Sequence, residues 1–294
     1  MNQQVQTLEY FNAHALDWNS KANDKEYSVI ENRHNAVLET LKKFPPKSTL
    51  LDVGCGTGQL AIEASKRGWT ALGVDFASEM IEICNQNKKI ENSDAVFRCS
   101  SIFDSDLAPS SFDVISAQGF IEYISLEQLD NFIDITKKLL RSKGRIALGS
   151  RNRLFNLHSL NEFTELESAL GTIDKIVHES VVLQKSDTQE EAISALTKLA
   201  YEYEQPTEHP LTGIKVDTRY QFTPSDLITR LAKHNFRAES VYPVHVHPLP
   251  ISLLKNQTAL TIHRQLANLA SREFIGEHKL VPYSSSFVIE AVSI

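Results

Sequence analysis

Residues 50 to 80, LLDVGCGTGQLAIEASKRGWTALGVDFASEM, leave the chain little choice of fold. An apolar run ends at Val53, and three glycines two apart, Gly54, Gly56 and Gly58, follow at once. With no Cβ in the way, a backbone built from glycine turns sharply off a strand and comes close to a ligand. The helix expected from about Gln59 then points its unpaired N-terminal N–H groups at that ligand. A second apolar run closes on Asp75, about 20 residues after the first glycine, where a carboxylate accepts both hydroxyls of a ribose. The pattern calls for a ligand that contains a nucleoside.

From 46 to about 150 the same rhythm repeats. TLLDVG, TALGVD, AVFRCS, FDVISAQ and RIALGS read as strands, separated by the helical stretches LAIEASKRG, SEMIEICNQNKK and LEQLDNFIDITKKLLRSKG. Strand cores that are apolar at nearly every position belong to a sheet buried on both faces. Alternation with helices makes that sheet parallel and doubly wound. Gly68 and Gly144 are expected to stop helices. Before this core, residues 1–45 read as helical, with Leu8, Phe11, Leu16 and Trp18 and then Val37, Leu38, Leu41 and Phe44 near helical spacing. After 154 the rhythm fails for about 65 residues, more than an ordinary connection needs. Within that stretch DTQEEAISALTKLAYEYE reads as a helix with a Thr188/Glu191 capping box, followed by a loop, QPTEHPLTG, and a strand or turn, DTRYQF. At TPSDLITRLAKHNF the core resumes, with Thr223 as N-cap and Pro224 at the first helical position.

Two kinds of nucleoside ligand use the glycine plan. A dinucleotide site wants G-x-G-x-x-G, but here the position three after Gly56 is Gln59 and the spacing is G-x-G-x-G. Asp52, just ahead of the glycines, sits poorly beside a diphosphate and well beside an ammonium group. S-adenosylmethionine has that ammonium, a sulfonium and no phosphate. On these residues the segment from 46 to about 150 resembles the core of the class I S-adenosylmethionine-dependent methyltransferases, and the terminal SSFVIEAVSI resembles the antiparallel last strand of that family.

The resemblance implies that Asp52, Gly54, Gly56 and Gly58 meet the methionine part of the cofactor. It implies that Asp75 binds the ribose and that Phe76 and Met80 flank the adenine, with S-adenosylhomocysteine as product. The family's D-x-S-x-x-M is altered, because Ala77 stands at the serine position and Ser78 follows it. Where the family has G-D-A this chain has Ser100, Ser101 and Ile102, so Ser101 is left to accept the adenine amino hydrogen bond without a charge. Gln118 is implied at the cofactor's edge, with Glu122 and Tyr123 facing the acceptor.

Methyl transfer from a sulfonium is an in-line displacement, so the site chiefly holds a nucleophile near the methyl group, and a hydroxyl acceptor also needs a base. Acceptor groups are expected beyond the strand ends. Arg151, Asn152 and Arg153, with Asn156 and His158, form a polar cluster after the fifth strand, and two arginines suit a carboxylate, a phosphate or a sugar nucleotide. A solvated loop is the plain alternative. His245 and His247 lie two apart and share a strand face, where one can act as base near neutral pH. Two metal ligands are a further reading, but no third is identifiable, so no metal site is expected. Glu122 is the other candidate catalytic group, and Tyr10 and Trp18 resemble an N-terminal lid closing on the acceptor.

The expected fold is therefore α/β: a doubly wound, mostly parallel seven-stranded sheet with an antiparallel last strand, N-terminal helices and an inserted lid. The expected divisions are an N-terminal helical lid at 1–45, a cofactor core at 46–154, an inserted cap over the acceptor at 155–220, and the rest of the core at 221–294. A formal charge of -7 offers no basic stripe for nucleic acid. Three scattered cysteines give no disulfide framework or zinc site. With no signal-like start and no long apolar run, a cytoplasmic location without membrane insertion is expected. The expected function is methyl transfer to a small-molecule acceptor, at oxygen rather than nitrogen, such as a sugar nucleotide, a glycan precursor or a natural-product scaffold. The alternatives are an N-methyltransferase acting on a macromolecule, or a catalytically silent cofactor-binding partner. No oligomeric state is read from the sequence.

Overall fold

The structure, a computed structural model, describes residues 3–24, 29–206 and 219–294. Among them, seven strands form one sheet: β1 (Thr49–Val53), β2 (Thr70–Asp75), β3 (Val96–Cys99), β4 (Phe112–Gln118), β5 (Leu140–Arg151), β6 (Phe236–Val246) and β7 (Ser284–Ser293). Their order is β3-β2-β1-β4-β5-β7-β6. The first five run parallel, and β7 pairs antiparallel with both β5 and β6. The helices are α1 (Gln3–Ala13), α2 (Ala15–Ala22), α3 (Val29–Leu41), α4 (Gln59–Lys66), α5 (Ser78–Ile90), α6 (Leu126–Leu139), α7 (Asn156–Ser159), α8 (Glu162–Ala169), α9 (Ile173–Lys185), α10 (Gln189–Leu199), α11 (Pro224–Lys233) and α12 (Gln257–Glu273).

Leu50 and Leu51 show why this sheet is covered on both sides. They are consecutive on β1 and both fully buried, yet they belong to different apolar clusters, one on each face. Strand order reverses between β1 and β4, and a crevice at the carboxyl ends of such a pair is where open α/β sheets bind ligands.

Local departures from the expected elements have local causes. The N-terminal helix breaks at His14, and Leu16 is left exposed. α6 ends at Leu139, not near Gly144, because Leu140 already pairs with Phe112 on β4. Thr188 does cap α10, accepting from the Glu191 N–H, but the Glu191 carboxylate accepts from the Asp187 N–H, so the reciprocal half of the box is absent. Thr223 accepts from the Asp226 N–H with Pro224 in the first turn, as the sequence predicts. The expected loop at 205–213 and the start of the strand or turn at 217–222 fall largely outside the described residues, and Phe222 makes a single parallel bridge to Asn152.

Among the described residues of 155–220, those of α9 and α10 join the core and others reach a cavity. Ile176, Leu183, Ala192, Ile193 and Leu196 of α9 and α10 are buried in the main core with sheet residues such as Phe287. It is Phe155, Asn156 and Ser159, Asn161 and Phe163 of the next turn, and Arg219 that reach the cavity described below.

Candidate active site

A cavity of about 960 Å³ opens at the carboxyl ends of β1, β2 and β4. That volume stands near the upper end of the range for small-molecule pockets, about 300–1,000 Å³. Its floor is the glycine turn. Gly56 and Gly58 have φ of +53° and +89°, in the left-handed region that favours glycine. A Cβ at Gly56 would meet no atom within 4 Å, so this stretch of main chain lies bare, while one at Gly58 would strike the Phe97 ring at 2.8 Å.

Asp75 joins this turn to the end of β2. Its Oδ2 accepts from the Gly56 N–H at 3.0 Å and its Oδ1 from the Ala77 N–H at 3.0 Å. The second bond ties down the entry to α5, whose N-cap residue Ala77 has no side-chain cap to offer. Burial pushes the Asp75 carboxyl up to about 6, against these backbone bonds. Asp52, at the end of β1, is pushed up by burial to about 7, against a hydrogen bond to Ser116 and with Asp75 adding to the rise. Among the described residues neither acid has a salt-bridge partner, and two such buried acids favour a positively charged ligand.

Phe76, Met80, Ser101, Ile102 and Gln118 line the same cavity. The Ser101 hydroxyl accepts from the Phe103 N–H at 3.2 Å, which orients it. Gln118 donates to the Ala147 carbonyl at 3.0 Å, and its buried Oε1 has no hydrogen-bond partner. Trp18 closes one side, packed with Phe11, Phe76 and Met80, and its indole N–H is buried and unpartnered. Tyr10 is not among the residues lining the cavity and stacks on His14 with ring centres 4.3 Å apart, while burial raises its hydroxyl and Arg219 of the wall is near enough to pull it down against that rise.

Glu122, the other candidate catalytic group, is the centre of the opposite wall. Fully buried after β4, it accepts from Arg33 Nη2 at 3.3 Å, from Arg219 Nε at 3.1 Å and from the Arg151 backbone N–H at 3.0 Å, and the Arg151 side chain lies 3.6 Å away. Burial alone would raise its carboxyl, but Arg219, Arg33 and Arg151 outweigh burial and hold it below the usual range. Such a carboxylate is a poor proton acceptor. It gathers three guanidinium groups on the cavity wall, and three positive charges against one negative leave a surplus for an anion. Burial lowers Arg151 to about 10, with Arg219 acting the same way and Glu122 opposing, so it stays charged at neutral pH. Tyr123 completes this wall, with the Arg219 guanidinium 5.3 Å from its ring centre.

Arg153 and Asn152 differ from expectation. Arg153 turns away from the cavity and donates Nε to Glu167 at 2.7 and 2.9 Å, both side chains being buried, with the Tyr203 ring beneath it. The short 3-10 turn after β5 directs it there. Asn152 reaches the wall, but its amide donates to the Val281 and Ser284 carbonyls and its oxygen caps that turn at Leu154, so it holds backbone together. His158 packs on the Tyr283 ring, off the wall.

His245 and His247 do share a side of β6, with ring centres 4.2 Å apart. Burial first, then each other and His263 of α12, push His245 well below its ordinary value, and burial and His263 lower His247 to about 4. Neither is a base poised near neutral pH. His263 is the third histidine that the sequence does not reveal: ligating atoms of all three lie within 4.8 Å of one another.

A family model described as a methyltransferase domain matches residues 50–144, from β1 and the glycine turn into β5. Over these residues the chain is similar to that methyltransferase domain. Relatives of this methyltransferase domain include the ubiquinone biosynthesis O-methyltransferases of Idiomarina loihiensis, 28% identical over 44% of this chain and 53% of that one, and of Agrobacterium fabrum, 25% identical over 64% and 79%. A probable fatty acid methyltransferase of Mycobacterium tuberculosis is 27% identical over 39% of this chain and 26% of that protein. The chain thus spans about a quarter and about half of the length of the first two curated relatives it matches. The fold is also that of magnesium protoporphyrin IX methyltransferase from Synechocystis, solved with bound S-adenosylhomocysteine: TM-score 0.58 at 13% identity, over the whole of both chains. A methyltransferase structure from Methanosarcina mazei gives 0.55 at 17%, over 87% of this chain and 97% of that one. Among the described residues no helix is long and apolar enough to cross a membrane.

Arg33, Arg219 and His263 are the site residues that sequence reasoning missed. Each stands in a stretch with no motif, and only tertiary packing brings Arg33 and Arg219 to the cavity wall and His263 beside His245 and His247.

Proposed function

We propose that this chain transfers the methyl group of S-adenosylmethionine to an oxygen of a small acceptor that carries a carboxylate or phosphate. The observation that supports it is Glu122 holding Arg33, Arg151 and Arg219 together on the wall of the cavity that contains the glycine turn. In this reading Asp75 takes the ribose, Asp52 the ammonium of the methionine part, and Phe76, Met80, Ser101 and Ile102 the adenine. The arginines take the acceptor's anionic group, and Tyr123 and Trp18 close over it. The O-methyltransferase names of the relatives favour oxygen as the methylated atom. The role of the protein in transfer is positional: it sets the acceptor oxygen in line with the sulfur–carbon bond and keeps water out.

Incubation with methyl-labelled S-adenosylmethionine and a fractionated metabolite extract tests this. Label is expected in a small anionic compound, in the fraction that an anion exchanger retains. Label confined to neutral or cationic compounds, or to protein or nucleic acid, sinks the acceptor assignment.

A further inference from the structure

We propose that His245, His247 and His263 form a binding site for a divalent transition metal, with zinc as the type, on the wall of the same cavity. Its catalytic use rests on the methyl-transfer reading above, whereas the metal binding itself does not. The ligating atoms of the three lie within 4.8 Å of one another, with ring centres 4.2, 5.0 and 6.0 Å apart. Zinc–nitrogen bonds of about 2.1 Å place ligands about 3.4 Å apart in a tetrahedron, a gap that modest side-chain rotation closes. An all-imidazole set suits zinc and its first-row neighbours, and does not suit magnesium or calcium.

Two further observations point to a ligand. Both ring nitrogens of His247 are buried with no hydrogen-bond partner, a cost that a polar group in a folded interior is rarely left to carry. The Nδ1 of His245 lies 2.7 Å from the Ser285 hydroxyl, a contact that orients the ring as outer partners orient metal-ligating imidazoles. His245 also adopts φ +60°, a backbone strain that turns its ring toward its neighbours.

His245 and His247 line the cavity, so the remaining coordination position faces the acceptor, the open arrangement of a catalytic rather than a structural metal. Ser286, next to Ser285, receives a hydrogen bond from Arg33 at 2.9 Å, which sets the histidine cluster beside the arginine wall. An acceptor hydroxyl bound there loses its proton to solvent water near neutral pH. Its oxygen then attacks the methyl carbon, and the electron pair of the broken C–S bond stays on sulfur. This supplies the activation that Glu122 and the neutral histidines do not.

The test uses tag-free, chelator-treated full chain titrated with Co(II) and then Zn(II). About one equivalent of Co(II) is expected, with a visible d–d spectrum that Zn(II) abolishes. His263→Ala and His247→Ala are expected to lose the spectrum while keeping the far-ultraviolet dichroism of the parent, and Ser285→Ala to weaken binding by about 10- to 100-fold. Absence of Co(II) and Zn(II) binding by the parent chain overturns the proposal, whatever the variants do; so does binding that survives both histidine substitutions. Calorimetry with S-adenosylhomocysteine on the metal-free protein separates the two readings. Cofactor binding without metal binding sinks the metal site alone, and metal binding without cofactor binding sinks the methyl-transfer reading alone.

Discussion

The Asp75 carboxylate grips the Gly56 N–H at 3.0 Å, tying the acid that ends β2 to the barest point of the turn that ends β1. One side chain thus shapes the main chain that faces the ligand and remains on the cavity wall to meet it.

Asp75→Ala removes both functions. Cofactor affinity is expected to fall by about 1.5 to 3 kcal/mol, the range for a hydrogen bond to a charged group. Calorimetry with S-adenosylhomocysteine measures it, and unchanged affinity ends the ribose assignment.

Asp52 predicts a pH effect with a definite sign. Its folded value of about 7 lies above its ordinary 3.8, so between these the folded state holds the extra proton. Its stability contribution is complete at low pH and drains away as pH rises toward 7, at about 1.4 kcal/mol per unit of difference. Asp52→Asn should therefore raise the melting temperature of the cofactor-free protein more at pH 8 than at pH 5, and should weaken cofactor binding. Thermal scans at the two pH values, with and without S-adenosylhomocysteine, decide the matter.

Glu122 carries the opposite sign. The three arginines lower its folded carboxyl, so its stabilisation is present above its ordinary 4.5 and is lost as pH falls through the folded value. Glu122→Gln leaves the guanidinium groups facing one another and should cost about 3 kcal/mol at neutral pH. Denaturant titrations should also show a weaker acid dependence in the variant than in the parent. An equal dependence would mean that the charge cluster does not form.

Arg219→Ala tests the acceptor wall directly. The KM for the acceptor is expected to rise by about tenfold or more, as loss of a charge-assisted hydrogen bond implies, while cofactor affinity stays put. A rise in the cofactor's dissociation constant of the same size would move Arg219 out of the acceptor wall.

Arg153→Ala separates a structural arginine from its neighbour Arg151. Breaking the buried pair with Glu167 should destabilise by about 3 to 5 kcal/mol and loosen α8 without a first-order effect on acceptor recognition. Hydrogen exchange localises the change.

What could be read in advance was what is written locally. The strand–turn–helix from Leu50 to Lys66, the acid at Asp75 and the cap at Thr223 each depend on residues within a few positions of one another. Glu122 lay in plain view, yet its meaning depends on Arg33 and Arg219, 89 and 97 residues away, and no spacing rule reaches that far. His263 escaped because a strand and a helix meet only after β7 has been placed between β5 and β6. Arg153 misled because residues one apart leave a short turn in different directions, and the sequence shows their chemistry but not their aim.

The antiparallel run of β7 has a further consequence. Ser285 steadies a histidine and Ser286 steadies an arginine, and on a pleated strand neighbouring side chains exchange sides if the pairing slips by one. A single-residue insertion or deletion ahead of them would unseat both supports together. What this pocket accepts is therefore open to change by substitution and by loops elsewhere, and closed to any change in the length of β7 through Ser285 and Ser286.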